Sequence, residues 1–139
     1  MQLHISIWGI LLAAISSMII GTIYYSDSVF GKQWKKLAKI DAKKFDKELG
    51  WSMVQLFIAA LISAYTIAFV TSLYHGFYQS SWIASGFASP LLLFVGISAT
   101  TVVIHDTLNQ KPTKLINITL GNRLASLVVT GLIIGWIHP

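Results

Sequence analysis

The chain has 139 residues, of which 55% are hydrophobic and only 11% are charged, and its mean hydropathy is +0.69. A soluble domain carries roughly 25% charged residues, so this composition excludes an ordinary soluble domain. Cysteine is absent, which excludes disulfides, thiolate metal sites and thiol catalysis.

Four long apolar runs predict four membrane-spanning helices, because about 20 apolar residues in a helix cross the hydrocarbon core of a bilayer. The predicted spans are residues 3–25, 51–73, 87–108 and 115–137. We therefore predict an all-α integral membrane bundle of four transmembrane helices, forming a single domain over residues 1–139.

The charge distribution predicts an orientation. The net charge is +5, and seven of the nine lysines lie between Lys32 and Lys47, in the basic segment 26–50. Lys111 and Lys114 follow the third span. Because basic loops stay in the cytoplasm, we predict a multi-pass cell-membrane protein with both termini outside. Lysines beside a span contact anionic lipid, and no nucleic-acid partner is expected.

The basic segment has a helical pattern of its own. Phe30, Trp34 and Leu37 recur at i, i+4 and i+7, which places them on one face of a short helix. With lysines on the opposite face, this pattern predicts an amphipathic interfacial helix; the alternative is a plain basic loop. Asp41 is placed to cap the next helix, which leads into the second span.

Polar and small residues share one face in each of the later spans. These stripes are Ser52, Gln55, Ala59, Ser63 and Thr66; Ser98, Thr101, His105 and Asn109; and Thr119, Asn122, Arg123, Ser126 and Thr130. We expect the stripes to face one another, either as interhelical hydrogen bonds or as the lining of a wet cavity.

Small residues also predict close helix contacts. In the first span, Gly9, Ala13, Ser17 and Gly21 repeat every four residues, and the fourth span carries Gly131-xxx-Gly135. Such ridges let helices approach closely. If contacts within one chain leave these ridges unused, the ridges predict a homodimer.

The candidate intramembrane site consists of His105, Asp106, Asn109, Asn122 and Arg123. A charged side chain inside a membrane is costly and needs a partner or water. Asp106 is the only acid within a predicted span, so we predict an Asp106–Arg123 ion pair completed by the other three residues. Both a functional site and a structural fastener between the last two spans explain this set.

The histidines do not predict a metal site. His4, His75 and His138 lie at the outer ends of the spans, but they lack the spacing and the acidic neighbours of a ligand set. His105 has an unperturbed pKa near physiological pH, and it is either a proton carrier or a satisfied hydrogen-bonding group. No metal and no cofactor are expected.

The segment from Tyr24 to Trp34, YYSDSVFGKQW, resembles the aromatic-Tyr-Ser-Pro-x-x-Phe-Gly-Lys-x-Trp motif of an uncharacterised prokaryotic membrane family, domain of unknown function 1761. The interfacial motif residues are Tyr25, Ser26, Phe30, Gly31, Lys32 and Trp34. The hairpin between the last two spans is also similar to that family, through Lys111-Pro112, Asn117, Gly121 and the Gly-x-x-x-Gly near the C-terminus. The resemblance implies the four-span fold and adds no reaction.

The chain departs from that pattern at two places, with Asp27 instead of proline and Asn122-Arg123 instead of an aromatic residue and a histidine.

From the residues themselves, the motif predicts an anchor for the interfacial helix. Gly31 permits a bend, Ser26 or Asp27 caps the helix, and Lys32 meets lipid phosphate or the mouth of the bundle.

No hydrolase, metalloprotease or phosphate-loop motif is present, so an enzyme is not favoured. The leading prediction is a small transporter or channel-like protein for an ion or small polar solute, acting with the bilayer and a second copy as partners. The alternative is a non-transporting accessory or scaffold protein in which Asp106 and Arg123 only fasten helices. A lipid-modifying enzyme comes third and requires a groove beside His105.

Overall fold

The computed structural model describes residues 5–138, and its regular elements in that range are all helices, which confirms the predicted all-α class. They are α1 (Ile7–Tyr24), α2 (Gly31–Leu37), α3 (Ala42–Tyr78), α4 (Trp82–Leu93), a π-helical turn (Phe94–Ser98), α5 (Ala99–Leu108) and α6 (Thr113–Trp136). Among these described residues, four continuous helical stretches are long and apolar enough to cross a membrane: α1, α3, α4 through α5, and α6.

Side-chain caps explain where the long helices begin. Ser6 Oγ accepts a hydrogen bond from the backbone N–H of Gly9 at the start of α1, and Ser81 Oγ accepts one from Ala84 at the start of α4. The predicted cap of α3 is confirmed, because the Asp41 carboxylate accepts from two backbone N–H groups of the first turn. These bonds satisfy helical donors that have no partner within the helix.

α3 is longer than a bilayer requires. Its 37 residues rise roughly 55 Å at 1.5 Å per residue, compared with a hydrocarbon core of about 30 Å. The short helix predicted after the first span is confirmed as α2. Together, α2 and the first turns of α3 carry the lysine-rich segment.

Most buried residues lie in one half of the bundle, which we call the packed half. It consists of the start of α1, the second part of α3, α4 and the end of α6. Its buried side chains are mainly small, and they include Ala13, Ala14, Ala64, Ala68, Ser85, Ser89 and Thr130. Small residues allow helix backbones to approach closely, as is usual where helices pack in a membrane.

Glycines make the closest contact of the packed half, between α4 and α6. A Cβ atom added at Gly86 would meet the carbonyl oxygen of Gly131, and one added at Gly131 would meet Gly86 and the Pro90 ring. A Cβ at Gly135 would meet the Trp82 carbonyl oxygen at 2.5 Å. The Gly131-xxx-Gly135 ridge is therefore used inside the bundle and is not left over as a surface for a second copy.

A buried hydrogen bond adds to this packing. The hydroxyl groups of Thr71 in α3 and Ser89 in α4 are 2.6 Å apart, and both residues are fully buried. Each hydroxyl therefore satisfies the other where no water is available, which is the condition under which a buried polar group is tolerated.

The third span is not a regular α-helix. Pro90 lies inside α4 and removes one backbone donor, and the π-helical turn Phe94–Ser98 follows directly. A proline and a π-helical turn are recognised causes of helix irregularity. The Pro90 ring lies against Gly131, so the irregular region is packed on α6.

The opposite end of the bundle, which we call the basic end, contains α2, the starts of α3 and α6, and the end of α5. Its buried residues are few: Gly31, Asp106, Leu115, Ile116 and Ile118. Every residue of α3 from 42 to 63 is exposed or half-buried. The helices are therefore less closely packed here than in the other half.

The expectation that the polar stripes face one another is wrong for two of them. In α3, Gln55, Ser63 and Thr66 are exposed on the outside of the bundle, and the Thr66 hydroxyl donates to a carbonyl of its own helix. In α5, Thr101 and His105 are also exposed. Helical periodicity groups residues on a face, but a hydroxyl that bonds to its own helix does not require a neighbouring helix.

Candidate functional site

The interfacial motif forms a tight turn between α1 and α2. The backbone N–H of Gly31 donates to the Ser26 carbonyl over 2.8 Å, and that of Phe30 donates to the Tyr24 carbonyl over 3.2 Å. A Cβ atom at Gly31 would collide with the carbonyl of Tyr25 and with Ser26. Gly31 is therefore required because the backbone approaches it closely. The predicted bend does not require it, since a glycine-specific bend needs a positive φ and no glycine among residues 5–138 has one.

The predicted caps of α2 are wrong. Its N-cap is Phe30, which makes no side-chain capping bond. The Ser26 hydroxyl instead donates to the Ile23 carbonyl, and Asp27 pairs with Lys35 over 3.1 Å. Lys32 is exposed, and no salt bridge to it occurs among the described residues.

Aromatic rings connect this turn to both neighbouring helices. The ring of Tyr24 lies 4.8 Å from that of Phe30, and the ring of Tyr25 lies 4.9 Å from that of Trp34. Trp34 in turn contacts Phe45 of α3 at 6.0 Å. Ring pairs at these separations stabilise their surroundings beyond the area they bury, so the motif holds α1, α2 and α3 together.

The same turn packs on α6. The Tyr24 hydroxyl lies directly over Gly121, where any Cβ would collide with it. On α6, Thr119, Asn122 and Arg123 influence the electrostatics of the Tyr25 phenol. A cluster that we call the Tyr25–Arg123 site therefore joins the end of α1 to α6, and its members are Tyr25, Thr119, Asn122 and Arg123.

In this site, one buried acceptor has no hydrogen bond and one charge has no salt bridge among residues 5–138. Asn122 Oδ1 is buried and accepts no hydrogen bond within the described chain. Arg123 is exposed on the outer surface of α6, and no salt bridge to it occurs between residues 5 and 138. An unpartnered buried acceptor costs about 1–3 kcal/mol.

The remaining predicted site residues form a second cluster at the α5–α6 hairpin. Asp106 is 5% exposed, and its Oδ1 lies 2.9 Å from Lys111 Nζ and 3.0 Å from His105 Nδ1. The Lys111 backbone N–H also donates to the Asp106 carbonyl, and Gln110 takes the left-handed conformation of a tight turn. Asp106 therefore fastens the hairpin between the two helices.

The predicted Asp106–Arg123 pair is thus not formed. Lys111 lies only five residues from Asp106, so the tight turn brings its ammonium group to the carboxylate. Arg123 lies three helical turns into α6, beside Tyr25. The structure brings His105, Asp106 and Asn109 together in one cluster and places Asn122 and Arg123 in the other.

His105 has partners at both ring nitrogens. Asn109 Nδ2 lies 3.2 Å from Nε2, and Asp106 lies at Nδ1. An amide nitrogen only donates, so Nε2 accepts, and Nδ1 carries the proton that is donated to the carboxylate. The imidazole is therefore engaged within its own hairpin.

At the far end of the packed half, Trp82 lies between two histidines. Its ring stacks on His75 at 4.0 Å and on His138 at 5.2 Å. His4 lies outside the described residues. No group of three potential metal ligands occurs between residues 5 and 138.

Sequence reasoning missed Lys111 and Tyr24 as members of these clusters. The sequence predicts Lys111 only as an orienting charge and as part of the Lys111-Pro112 motif, although its position five residues after an acid at a helix end is a usable signal of the ion pair. The sequence presents Tyr24 only as the first residue of the aromatic motif, and its packing on Gly121 has no local sequence signal.

Comparison with protein families identifies one matching family. Its model, described as Protein of unknown function (DUF1761), covers residues 8–135, which includes both clusters and the aromatic turn. Comparisons with the curated proteins and with the solved structures give no match. The chain therefore belongs to the family of unknown function DUF1761.

Proposed function

We propose that this multi-pass membrane protein is a non-transporting accessory protein, which presents a basic, aromatic surface at one side of the membrane and passes no solute through its interior. The observation that carries the proposal is the closed packed half. The cavity between α1, α4 and the end of α6, lined by Gly9, Trp82 and Ile134 among others, has a volume of only about 10 Å³. A cavity of about 10–15 Å³ is needed for one water molecule.

The larger depressions lie on the outside. One, of about 500 Å³, is lined by apolar residues of α1 and α3, including Ile15, Met18 and Phe57. Another, of about 390 Å³, is lined by Val70, Phe77 and other residues of α3. Both resemble grooves for lipid chains, because their walls are apolar and open to the side.

The basic end supplies the surface through which an accessory protein acts. The lysines of α2, of the turn that follows it and of the first turns of α3 are exposed or half-buried, and they are Lys32, Lys35, Lys36, Lys39, Lys43, Lys44 and Lys47. The aromatic contacts from Tyr24 to Phe45 hold these turns on the bundle. A fixed basic surface attracts acidic lipids or the acidic surface of a partner.

Transport of an ion or small polar solute is the second candidate function. It is favoured by the π-helical turn at Phe94–Ser98, because such turns occur frequently at functional sites. Transport requires α4 to move away from α6 at the Gly86–Gly131 contact, and that separation opens the packed half.

A flux assay separates these functions. The purified protein is reconstituted into liposomes, and the uptake of K⁺, Cl⁻, phosphate and glycerol is followed by light scattering and ion-selective dyes. We expect rates equal to those of protein-free liposomes. Saturable flux of any of these solutes contradicts the accessory function and supports the transporter.

A further inference from the structure

We propose that the Tyr25–Arg123 site binds the headgroup of an anionic phospholipid, with the phosphate on the Arg123 guanidinium and a headgroup hydroxyl donating to Asn122 Oδ1. This inference does not depend on the accessory function, because a transporter could hold the same lipid.

Arg123 carries a charge that no acidic side chain neutralises among residues 5–138. Asp106 is occupied by Lys111 and His105, and Asp27 is occupied by Lys35. Arg123 belongs to an apolar helix and is exposed on its outer surface. A guanidinium in this position needs an anion, and the planar fork of arginine matches two phosphate oxygens.

The Arg123 guanidinium lies toward the basic end of the bundle. Arg123 lies ten residues after Thr113, so its Cα is roughly 15 Å from the start of α6. Side chains of a helix slant toward its N-terminus, which for α6 is the basic end. The Arg123 charge therefore reaches toward the level of Tyr25, with which it interacts, and toward the lysine-rich surface where headgroups lie.

The residue next to Arg123 also indicates what the ligand carries, because its side chain has a buried acceptor without a hydrogen bond. Asn122 Oδ1 is buried without a donor, and an ionised phosphate diester cannot donate. A ligand that carries an O–H or N–H group beside its phosphate can also donate to this acceptor. An ammonium group is disfavoured next to Arg123 by like-charge repulsion, which leaves a hydroxyl group.

In this proposal, the Tyr25 side chain controls whether a headgroup hydroxyl can reach Asn122 Oδ1. Because Oδ1 is covered in the free protein, a headgroup hydroxyl reaches it by displacing a neighbouring side chain. The Tyr25 phenol is such a neighbour. Phosphatidylglycerol provides the required chemistry, since it carries one phosphate and two hydroxyl groups; soluble glycerol phosphate offers the same groups without the lipid chains.

Native mass spectrometry of the detergent-solubilised full chain tests this site. Phosphatidylglycerol, phosphatidic acid and phosphatidylcholine are titrated separately, and glycerol phosphate is added as a competitor. At a pH well above the second pKa of a phosphate monoester, phosphatidic acid carries no O–H donor. Under that condition we expect phosphatidylglycerol to bind the wild type most tightly, about three- to tenfold more tightly than phosphatidic acid. If glycerol phosphate competes with the same affinity as phosphatidylglycerol, the site binds a soluble phosphate ligand. If glycerol phosphate does not compete, the ligand is the phospholipid.

The variants make the test specific. Arg123→Gln should weaken phosphatidylglycerol binding about tenfold or more, while Lys114→Gln, the same charge change on the same helix, should have less than about a twofold effect. Asn122→Leu should abolish the preference over phosphatidic acid. Arg123→Lys keeps the charge and should bind with intermediate affinity, and circular dichroism checks that each variant is helical.

Two results overturn the proposal. One is equal binding by the Arg123→Gln and Lys114→Gln variants. The other is an Asn122→Leu variant that folds and keeps the wild-type preference for phosphatidylglycerol. Neither readout measures flux, so a failed lipid site and a failed accessory function are distinguishable.

Discussion

The two halves of the bundle use different interactions. The packed half relies on the approach of backbones at Gly86 and Gly131 and on small buried side chains such as Ala64 and Ser89. The basic end relies on aromatic contacts, on one buried carboxylate and on a tight turn at Gly31. The first half is therefore closed by backbone contacts, whereas in the second half Asn122 Oδ1 of α6 accepts no hydrogen bond among the described residues.

The largest expected effect is in the packed half. Gly131→Ala places a methyl group against Gly86 and the Pro90 ring, and we expect the free energy of unfolding in detergent to fall by about 3 kcal/mol, the upper end for overpacking. Gly21→Ala is the matched control, because nothing lies within 4 Å of that Cβ. The control should be neutral or stabilised by about 0.5–1 kcal/mol. Equal effects at both positions contradict the close contact.

The next effect concerns the hairpin carboxylate. Lys111→Met leaves Asp106 buried with only His105 beside it, and we expect a loss of about 2 kcal/mol. The double variant Asp106→Leu, Lys111→Met should recover most of that loss in a double-mutant cycle. An Arg123→Leu variant should show no coupling to Asp106. Strong coupling between those two residues would restore the originally predicted pair.

A smaller effect is expected at the aromatic turn. Gly31→Ala should open the turn, because its Cβ would meet the Tyr25 carbonyl, at a local cost of about 1–2 kcal/mol. We expect faster trypsin cleavage after Lys32 and Lys35 with little change in global unfolding. Gly50→Ala is the control, since its Cβ would meet open space. Unchanged cleavage of the Gly31 variant would show that the turn tolerates a side chain.

The smallest effect is at the start of α3. Asp41→Ala removes the acceptor for the backbone N–H groups of Lys43 and Lys44, and an N-cap is worth about 1 kcal/mol. Because this end of α3 has few tertiary contacts, hydrogen exchange should rise in the first turns only. Protection lost as far as Ala64 contradicts a division between the two halves.

Local signals in the sequence were sufficient for most of the fold. Apolar run lengths predicted four long helices, the spacing of Phe30 and Trp34 predicted α2, and Asp41 predicted the start of α3. These features depend on residues within one or two turns of each other. The same is true of the motif from Tyr24 to Trp34, which carried the resemblance that the family match over residues 8–135 confirms.

Contacts between distant residues were not predictable in this way. Periodicity placed Gln55 and Ser63 on one face, but whether that face meets a helix or the surroundings depends on how the helices cross. The choice of Lys111 over Arg123 as the partner of Asp106 depends on the hairpin turn at Gln110. The membrane boundaries, the sides of the termini and a homodimer remain predictions.

Thiol accessibility tests the central claim of a closed half and an open end most directly. The chain has no native cysteine, so single cysteines report alone. Ser89→Cys places a thiol at a fully buried position, and Lys32→Cys places one at an exposed position of the basic end. In reconstituted vesicles made permeable to a charged methanethiosulfonate reagent, we expect Cys at position 89 to react about a hundredfold more slowly or not at all, since only a hydrated thiolate reacts. Both should react fully after denaturation. Similar rates in the folded protein would mean that water enters the packed half, and the closed bundle would then be the wrong description.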